Sequence, residues 1–387
     1  MQQYSTIFTH KGGVMKWSLR ILCPFLVASL LVLAQAPRGA GTLPATLTDQ
    51  EFWKMIEDFS EPGGSFRYEN FISNERSIQY VIPELKARSK PGGVYLGVAP
   101  EQNFTYVAAI QPGIAFIIDI RRQNMLVHLL YKALFELSPN RADFVARLFS
   151  RKRPAELNER STAVELFAAF ERVSGDSAFY DQNLRDIKGV LGKHGYTLTA
   201  ADLATIEKVY DVFHRGGPNM NYGFASPAPN PQTPSYVVMM TSTDLAGRSW
   251  SYLATEDNFR YVKEMQRKNL IVPLVGDFAG PSVIRNVARY VRDRQATVTA
   301  FYVSNVERYL AGPQWPAFFS NVATLPLDAS SVFIRFVDND YTRMLQGWTP
   351  EKDVQTGLVP MLEIINMHNA GRLPAYPELL RAQKALP

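Results

Sequence analysis

The chain has 387 residues, of which 46% are hydrophobic and 20% are charged, so it is long enough to bury a large core. Its 41 basic and 36 acidic residues give a net charge of only +5, which does not indicate a nucleic-acid partner. The one cysteine, Cys23, lies in an apolar N-terminal run. If that run is removed, the chain has no disulfide, no Cys nucleophile and no thiolate metal site.

Residues 1–36 have the pattern of a secretory signal peptide, with Met15 as the expected true start. Lys16 and Arg20 precede an apolar run over 21–33, and Ala-Gln-Ala follows at 34–36. The run is shorter than the about 20 residues that a membrane-spanning helix needs. We therefore expect export to a bacterial periplasm and no membrane contact after cleavage, with an uncleaved anchor as the alternative.

Residues 37–90 are expected to form a linker and an N-terminal helical segment, with a capping box at Thr48 and Glu51. In residues 91–137, apolar runs at 93–98 and 114–119 predict two strands, and a helical period follows each of them. Near-continuous apolar strands that alternate with helices are typical of a parallel sheet covered on both faces. We expect these strands to be parallel neighbours joined by one helix.

Residues 138–234 have a helical period, which predicts a large helical insertion. Strands are expected again in residues 235–345, at 236–241, 270–277, 297–303 and 332–337, the last as a candidate antiparallel edge. Residues 346–387 are expected to be a C-terminal helical segment, with a helix over 357–369. The predicted fold class is α/β: an open, mostly parallel, doubly wound sheet with a helical insertion.

A nine-residue repeat precedes a predicted helix in each half of the sheet, as APEQNFTYV at 99–107 and ATEDNFRYV at 254–262. Six of the nine positions are identical, among them Asn103 with Asn258 and Phe104 with Phe259. The glutamate of each copy falls in the first helical turn, where a carboxylate complements the helix dipole. We interpret the repeat as a duplicated scaffold start; a duplicated binding turn and coincidence are the alternatives.

Ligands of open α/β sheets bind beyond the carboxyl ends of the strands, where this chain has several polar residues. Gly97 and Asp119 are 22 residues apart, close to the about 20 between a nucleotide-binding turn and a ribose-binding acid. His128 lies one helix beyond Asp119 and is the candidate acid/base. The four histidines after residue 36 have no metal-pair spacing, so no metal site is predicted.

The segments VYLGVAPEQNFTYVAA, FIIDIRRQNMLVHLLYKALFE and VPLVGDFAG resemble an uncharacterised bacterial family with the Rossmann-like fold of S-adenosylmethionine-dependent methyltransferases. The resemblance covers roughly residues 90–340. It implies S-adenosylmethionine as the cofactor, Asp119 at its ribose, Asp277 near its adenine and Asn305 at the catalytic edge. The predicted cofactor-binding residues are Gly97, Glu101, Asn103, Asp119, Arg121, Asp277 and Phe278.

The first strand–helix turn departs from that family's pattern. It has one glycine where two or three are usual, and Pro100 removes a backbone donor. Glu101 places a carboxylate at a helix N-terminus and so disfavours a phosphate there, whereas a cationic sulfonium ligand has no phosphate. Arg121 and Arg122 favour a ribose 2′-phosphate instead, so NADP is kept as an alternative.

The sequence leaves three classes of function open. The first is a methyltransferase-like enzyme that uses S-adenosylmethionine, which conflicts with export because that cofactor is not normally supplied outside the cytoplasm. The second is an exported, non-catalytic binding protein whose helical insertion carries the interaction surface. The third is an exported hydrolase or lyase that uses acidic strand-end residues. All three predict a small-molecule ligand or an unidentified protein partner.

Overall fold

The computed structural model describes residues 42–67, 69–224, 233–337 and 356–384, with side chains as far as residue 380. The signal-peptide prediction for residues 1–36 lies outside this part of the chain. Six strands form one sheet in the order β3-β2-β1-β4-β5-β6, in which only the β5–β6 pair is antiparallel. The strands are β1 (Val94–Gly97), β2 (Ile114–Asp119), β3 (Ile271–Val275), β4 (Val298–Ser304), β5 (Val332–Phe336) and β6 (Thr356–Pro360).

Helices connect and cover these strands in the described residues. The helices before β3 are α1 (Asp49–Phe59), α2 (Ile82–Arg88), α3 (Gln102–Ile110), α4 (Arg122–Leu137), α5 (Arg141–Leu148), α6 (Ala163–Glu171), α7 (Ser177–Lys193), α8 (Ala200–Gly216), α9 (Tyr236–Thr241) and α10 (Glu256–Arg267). The later helices are α11 (Val283–Asp293), α12 (Gln314–Val322), α13 (Met361–Asn369) and α14 (Tyr376–Lys384). No helix of the described residues combines the length and apolar character needed to cross a bilayer.

The first two strands are parallel neighbours, in the register Val94 opposite Ile114 and Gly97 opposite Ile117. The helix α3 alone connects them, as the sequence predicts. Every residue of β1, β2, β3 and β5 is buried, which explains why these strands have near-continuous apolar sequences. The α/β class with a mostly parallel sheet is confirmed, and the strand order is compatible with a Rossmann-like fold.

Two of the predicted strands need correction. Residues 236–241 form the helix α9, because the Ser235 side chain caps it at the Val238 N–H and its buried face packs Tyr236, Met239 and Met240. Residues 332–336 do form a strand, but it runs parallel to β4, and the antiparallel edge is β6. The helix predicted from residue 357 therefore begins only at Met361, after that strand.

Residues 138–224 contain helices, turns and isolated β-bridges, and they pack on the sheet domain through α4, which contacts both α7 and α8. Capping boxes at Thr48 and Thr199 begin α1 and α8. The described residues from 42 onward belong to one compact unit, so the helical region is an extension of the sheet domain's core. Its aromatic side chains are continuous with that core, since Tyr131 of α4 meets Phe213 of α8 at 5.9 Å between ring centroids.

The two copies of the nine-residue repeat have matching structural roles. In each copy the Asn side chain donates to carbonyl groups of the preceding loop: Asn103 to Val98, Ala99 and Pro100, and Asn258 to Trp250 and Ser251. The Phe of each copy packs on the same ring, because Phe104 and Phe259 lie 5.4 and 5.3 Å from Phe135. The repeat therefore starts α3 and α10 and packs them on α4.

Candidate functional site

A cavity of about 850 Å³ lies at the carboxyl ends of the first four strands. Its wall contains the turn after β1, the end of β2, the loop after β3 and the end of β4. Further parts of the wall come from Phe66, Arg67 and the segment 69–76, which precede the sheet in the chain, and from residues 222, 223 and 233 of the helical region. This is the edge of an open parallel sheet at which ligands bind in such folds.

Side chains that lie outside the cavity wall fix the turn after β1 by hydrogen bonds. Ala99 has a left-handed φ of 64°, and its carbonyl accepts from Nδ2 of Asn103 and Nε2 of His128, both at 3.0 Å. A Cβ on Gly97 would collide with Oδ1 of Asn103. The glycine is therefore needed for Asn103 to reach the loop carbonyls, irrespective of any ligand.

His128 is buried behind this turn, and its Nε2 donates to the Ala99 carbonyl. Burial lowers the pKa of His128 to about 4, so the ring is neutral at physiological pH. Its Nδ1 is buried without a hydrogen-bond partner. The placement favours a structural role, and the acid/base role that the sequence suggested stays a prediction.

Glu101 is the N-cap residue of α3 and is fully buried. Its Oε1 accepts from the backbone N–H of Ser73 at 3.1 Å, which fastens the segment 69–76 to the start of the helix. Burial raises the pKa of Glu101 to about 8. Glu101 and Asn103 thus shape the cavity from behind it, while Pro100 and Gln102 line it.

Asp119, at the end of β2, lines the cavity together with Arg121. The Arg121 guanidinium donates from Nε to Oδ1 at 3.0 Å and from Nη2 to Oδ2 at 2.9 Å, and the Arg121 backbone N–H also donates to Oδ1. Both side chains are more than nine-tenths buried. The acid that the sequence assigned to a ribose therefore already balances a buried cation.

The remaining predicted residues come from the next two strand ends, and all of them line the cavity. Oδ1 of Asp277 accepts from the Ala279 N–H at 2.9 Å, which closes the loop after β3. The Phe278 ring packs against Phe301 at 5.0 Å between centroids, and Asn305 follows β4 directly. The structure thus brings Asp119, Arg121, Asp277, Phe278 and Asn305 to one cavity.

Sequence reasoning missed Glu75, a buried carboxylic acid on the cavity wall. Its Oε1 accepts from the Tyr302 hydroxyl at 2.6 Å and from the Ser304 hydroxyl, both on β4. Burial raises the pKa of Glu75 to about 7, although these two hydrogen bonds lower it. Its sequence neighbours are Asn74 and Arg76, so no local apolar pattern marked it as a buried acid. The wall also contains four arginines, Arg67, Arg76, Arg121 and Arg308.

Comparison with protein-family models gives one match, to "Domain of unknown function (DUF7790)", over residues 70–356. The chain belongs to the DUF7790 family. The matched part of the chain contains strands β1 to β5 and nearly all of the segment 69–76, so the DUF7790 domain includes most of the cavity wall. No curated protein matches the chain.

The wall of the DUF7790 cavity combines carboxylates, arginines and aromatic rings, and these groups determine which kind of ligand matches it. The Phe66 and Tyr309 rings meet edge to face at 5.1 Å between centroids, and Arg67 lies 5.6 Å from the centre of the Tyr309 ring. A planar ring with polar substituents matches such a wall better than an aliphatic chain does. The carboxyl of Glu75 can hold or release a proton near neutral pH.

Proposed function

We propose that this protein is a methyltransferase-like transferase that binds S-adenosylmethionine in the cavity at the carboxyl ends of β1 to β4. The observation that carries the proposal is the convergence of four strand ends on one cavity of about 850 Å³. Small-molecule sites typically occupy about 300–1,000 Å³, so a nucleoside-sized ligand fits. The bound cofactor would supply a methyl group on a cationic sulfonium.

The residues present fit the groups of that cofactor. A carboxylate has about four lone-pair positions, and the three donors on Asp119 leave one for a ribose hydroxyl. Asp277 and Phe278 offer an acceptor and an aromatic ring for the adenine.

A phosphate-bearing cofactor such as NADP is disfavoured by the two helix N-termini at this edge. Glu101 occupies the start of α3, and the Glu61 carboxylate accepts from the N–H groups of Ser282 and Val283 at the start of α11, both at 2.7 Å. The positive end of α11 therefore already has a carboxylate partner, and the buried side chain of Glu101 stands at the start of α3. Arg121, the residue that favoured a 2′-phosphate, is paired with Asp119.

A second candidate function is the hydrolase or lyase with acidic strand-end residues. Glu75 favours it, because this buried carboxyl with a pKa raised by burial to about 7 faces the same cavity as Asp277. A general acid or base works best with a pKa near the operating pH. This candidate agrees with export, because it does not need a cytoplasmic cofactor.

Isothermal calorimetry of the full chain with S-adenosylmethionine, S-adenosylhomocysteine and NADP tests the proposal. We expect binding of the first two ligands and at least tenfold weaker binding of NADP. Asp277→Ala should weaken both methionine-derived ligands at least tenfold, whereas Asp257→Ala, at a highly exposed position on α10, should leave them unchanged. If neither ligand binds the wild-type chain, the transferase proposal is wrong and the hydrolase candidate takes its place.

A further inference from the structure

Among the residues that the structure describes, two buried acceptor atoms on the cavity wall lack a hydrogen-bond partner. They are Oε2 of Glu75 and Oε1 of Gln102, and each of these side chains belongs to a residue that is 1% exposed. A buried polar atom left unpaired costs about 1–3 kcal/mol, so proteins rarely keep one without a reason. Two of them on one wall indicate a place that a ligand completes.

The side chain of Tyr302 links these two acceptors and fixes their roles. Its hydroxyl donates to Oε1 of Glu75 at 2.6 Å and accepts from Nε2 of Gln102 at 3.3 Å. The Gln102 amide also donates to the Val98 carbonyl at 3.4 Å, so its nitrogen is used and its oxygen remains. When Glu75 is ionised, both free atoms accept hydrogen bonds, and a donor group satisfies them.

We propose that Glu75 and Gln102 form an acceptor subsite that receives an O–H or N–H group of a second substrate and that Glu75 takes its proton. The proton moves from the substrate oxygen or nitrogen to Oε2 of Glu75, and the electron pair of the broken bond stays on that heteroatom. The heteroatom thereby becomes the nucleophile. Resting on the proposed function, this assigns the methyl acceptor to the alcohols, phenols or amines.

The surroundings of Glu75 suit a proton acceptor. Burial raises its pKa to about 7, so that the carboxylate and the acid are both populated at neutral pH. The backbone N–H of Glu75 donates to the Ser73 hydroxyl at 3.2 Å, which fixes the carboxyl-bearing segment to the loop.

The titratable and charged residues around the Glu75 carboxyl are Tyr95, Tyr106, Tyr302, Glu101, Arg76 and Arg308. Burial raises the pKa of each of these tyrosines well above 10, so none of them competes for the proton.

Fragment titrations of the full chain test the subsite without any cofactor. The probes are phenol and benzylamine, with anisole and toluene as matched compounds that cannot donate. Ligand-observed NMR should give at least tenfold tighter binding of each donor than of its matched compound. Glu75→Gln, which puts an N–H donor in place of Oε2, should remove that preference, and Gln102→Leu should weaken it. Glu69→Gln, a charge-matched change on the same wall, should preserve it.

The pH dependence tests whether Glu75 ionises in the subsite between pH 6 and 8. Benzylamine should bind more tightly as the pH rises from 6 to 8 in the wild type, and this dependence should be absent in Glu75→Gln. Equal binding of phenol and anisole, unchanged binding in Glu75→Gln, or no binding of any probe would each overturn the subsite. If the chain binds the donor probes but not S-adenosylmethionine, the acceptor subsite is supported and the transferase function is contradicted. Failure of the subsite can therefore be distinguished from failure of the proposed function.

Discussion

Arg121 binds both carboxylate oxygens of Asp119, at 3.0 and 2.9 Å, inside the cavity wall. The pair is buried, so each charge depends on the other for its solvation. Asp119 therefore has a structural role in the free protein as well as the predicted role at a ribose. Any experiment on the cofactor site must separate these two roles.

Asp119→Ala should lower the free energy of unfolding by about 3–5 kcal/mol, because it removes the carboxylate that pairs with the buried Arg121 guanidinium. Urea unfolding measures this loss. The matched control is Glu264→Ala, which removes one half of the exposed pair with Arg267 and should leave stability nearly unchanged. Equal effects of the two changes would contradict the structural role of Asp119.

Glu61→Ala should lower the free energy of unfolding by about 1–3 kcal/mol, because the carboxylate satisfies the N–H groups of Ser282 and Val283 at the start of α11. The vacated helix end should then bind an anion. Sulfate should raise the melting temperature of Glu61→Ala more than that of the wild type, as measured by calorimetry against chloride at the same ionic strength. Asp58→Ala, in an exposed pair with Lys54, is the control and should show no extra sulfate effect.

Glu75→Gln should change how stability depends on pH. Burial raises the pKa of Glu75 from its ordinary 4.5 to about 7, so the folded state keeps a proton that the unfolded chain releases. The free energy of unfolding therefore falls as the pH rises through this window. Glu75→Gln removes that loss, so the variant should gain up to about 3 kcal/mol relative to the wild type between pH 4.5 and 8.

Urea unfolding at half-unit pH steps measures that difference. Glu101 and His128 also titrate with shifted pKa values, but their contributions cancel because they are common to the wild type and the variant. A difference between Glu75→Gln and the wild type that stays constant with pH would show that Glu75 has no raised pKa.

Export is a prediction from residues 15–36 and decides which function suits the chain. Residues 15–40 fused to a reporter that is active only outside the cytoplasm should give an active reporter. Replacement of Lys16 and Arg20 by glutamate should abolish the signal, because the charged lead directs export. An inactive reporter would contradict export and would remove the conflict between the compartment and the cofactor.

The position of the cavity followed from the sequence because it depends on local patterns. The apolar runs that became β1 and β2 identify buried parallel strands, and their carboxyl ends define the ligand edge. Asp277 and Asn305 were found in this way, since each follows a strand. The helix α9 was missed because a six-residue apolar run fits a strand or a buried helix equally well.

Glu75 could not be predicted, because its environment comes from residues 227 and 229 positions away, Tyr302 and Ser304. The pairing of Asp119 with Arg121 is local, but a spacing of two residues does not reveal which way either side chain turns. The sequence therefore predicted which site residues lie at strand ends. It did not predict the pKa values and hydrogen bonds that depend on burial and long-range contacts.

A crystal structure of the full chain grown with S-adenosylhomocysteine tests whether the cavity is the cofactor site. We expect ligand density in the cavity, with the ribose at Asp119, the base at Asp277 and Phe278, and the remaining space beside Glu75 open to a second substrate. Density at another face of the sheet, or an unchanged cavity at saturating ligand, would contradict it.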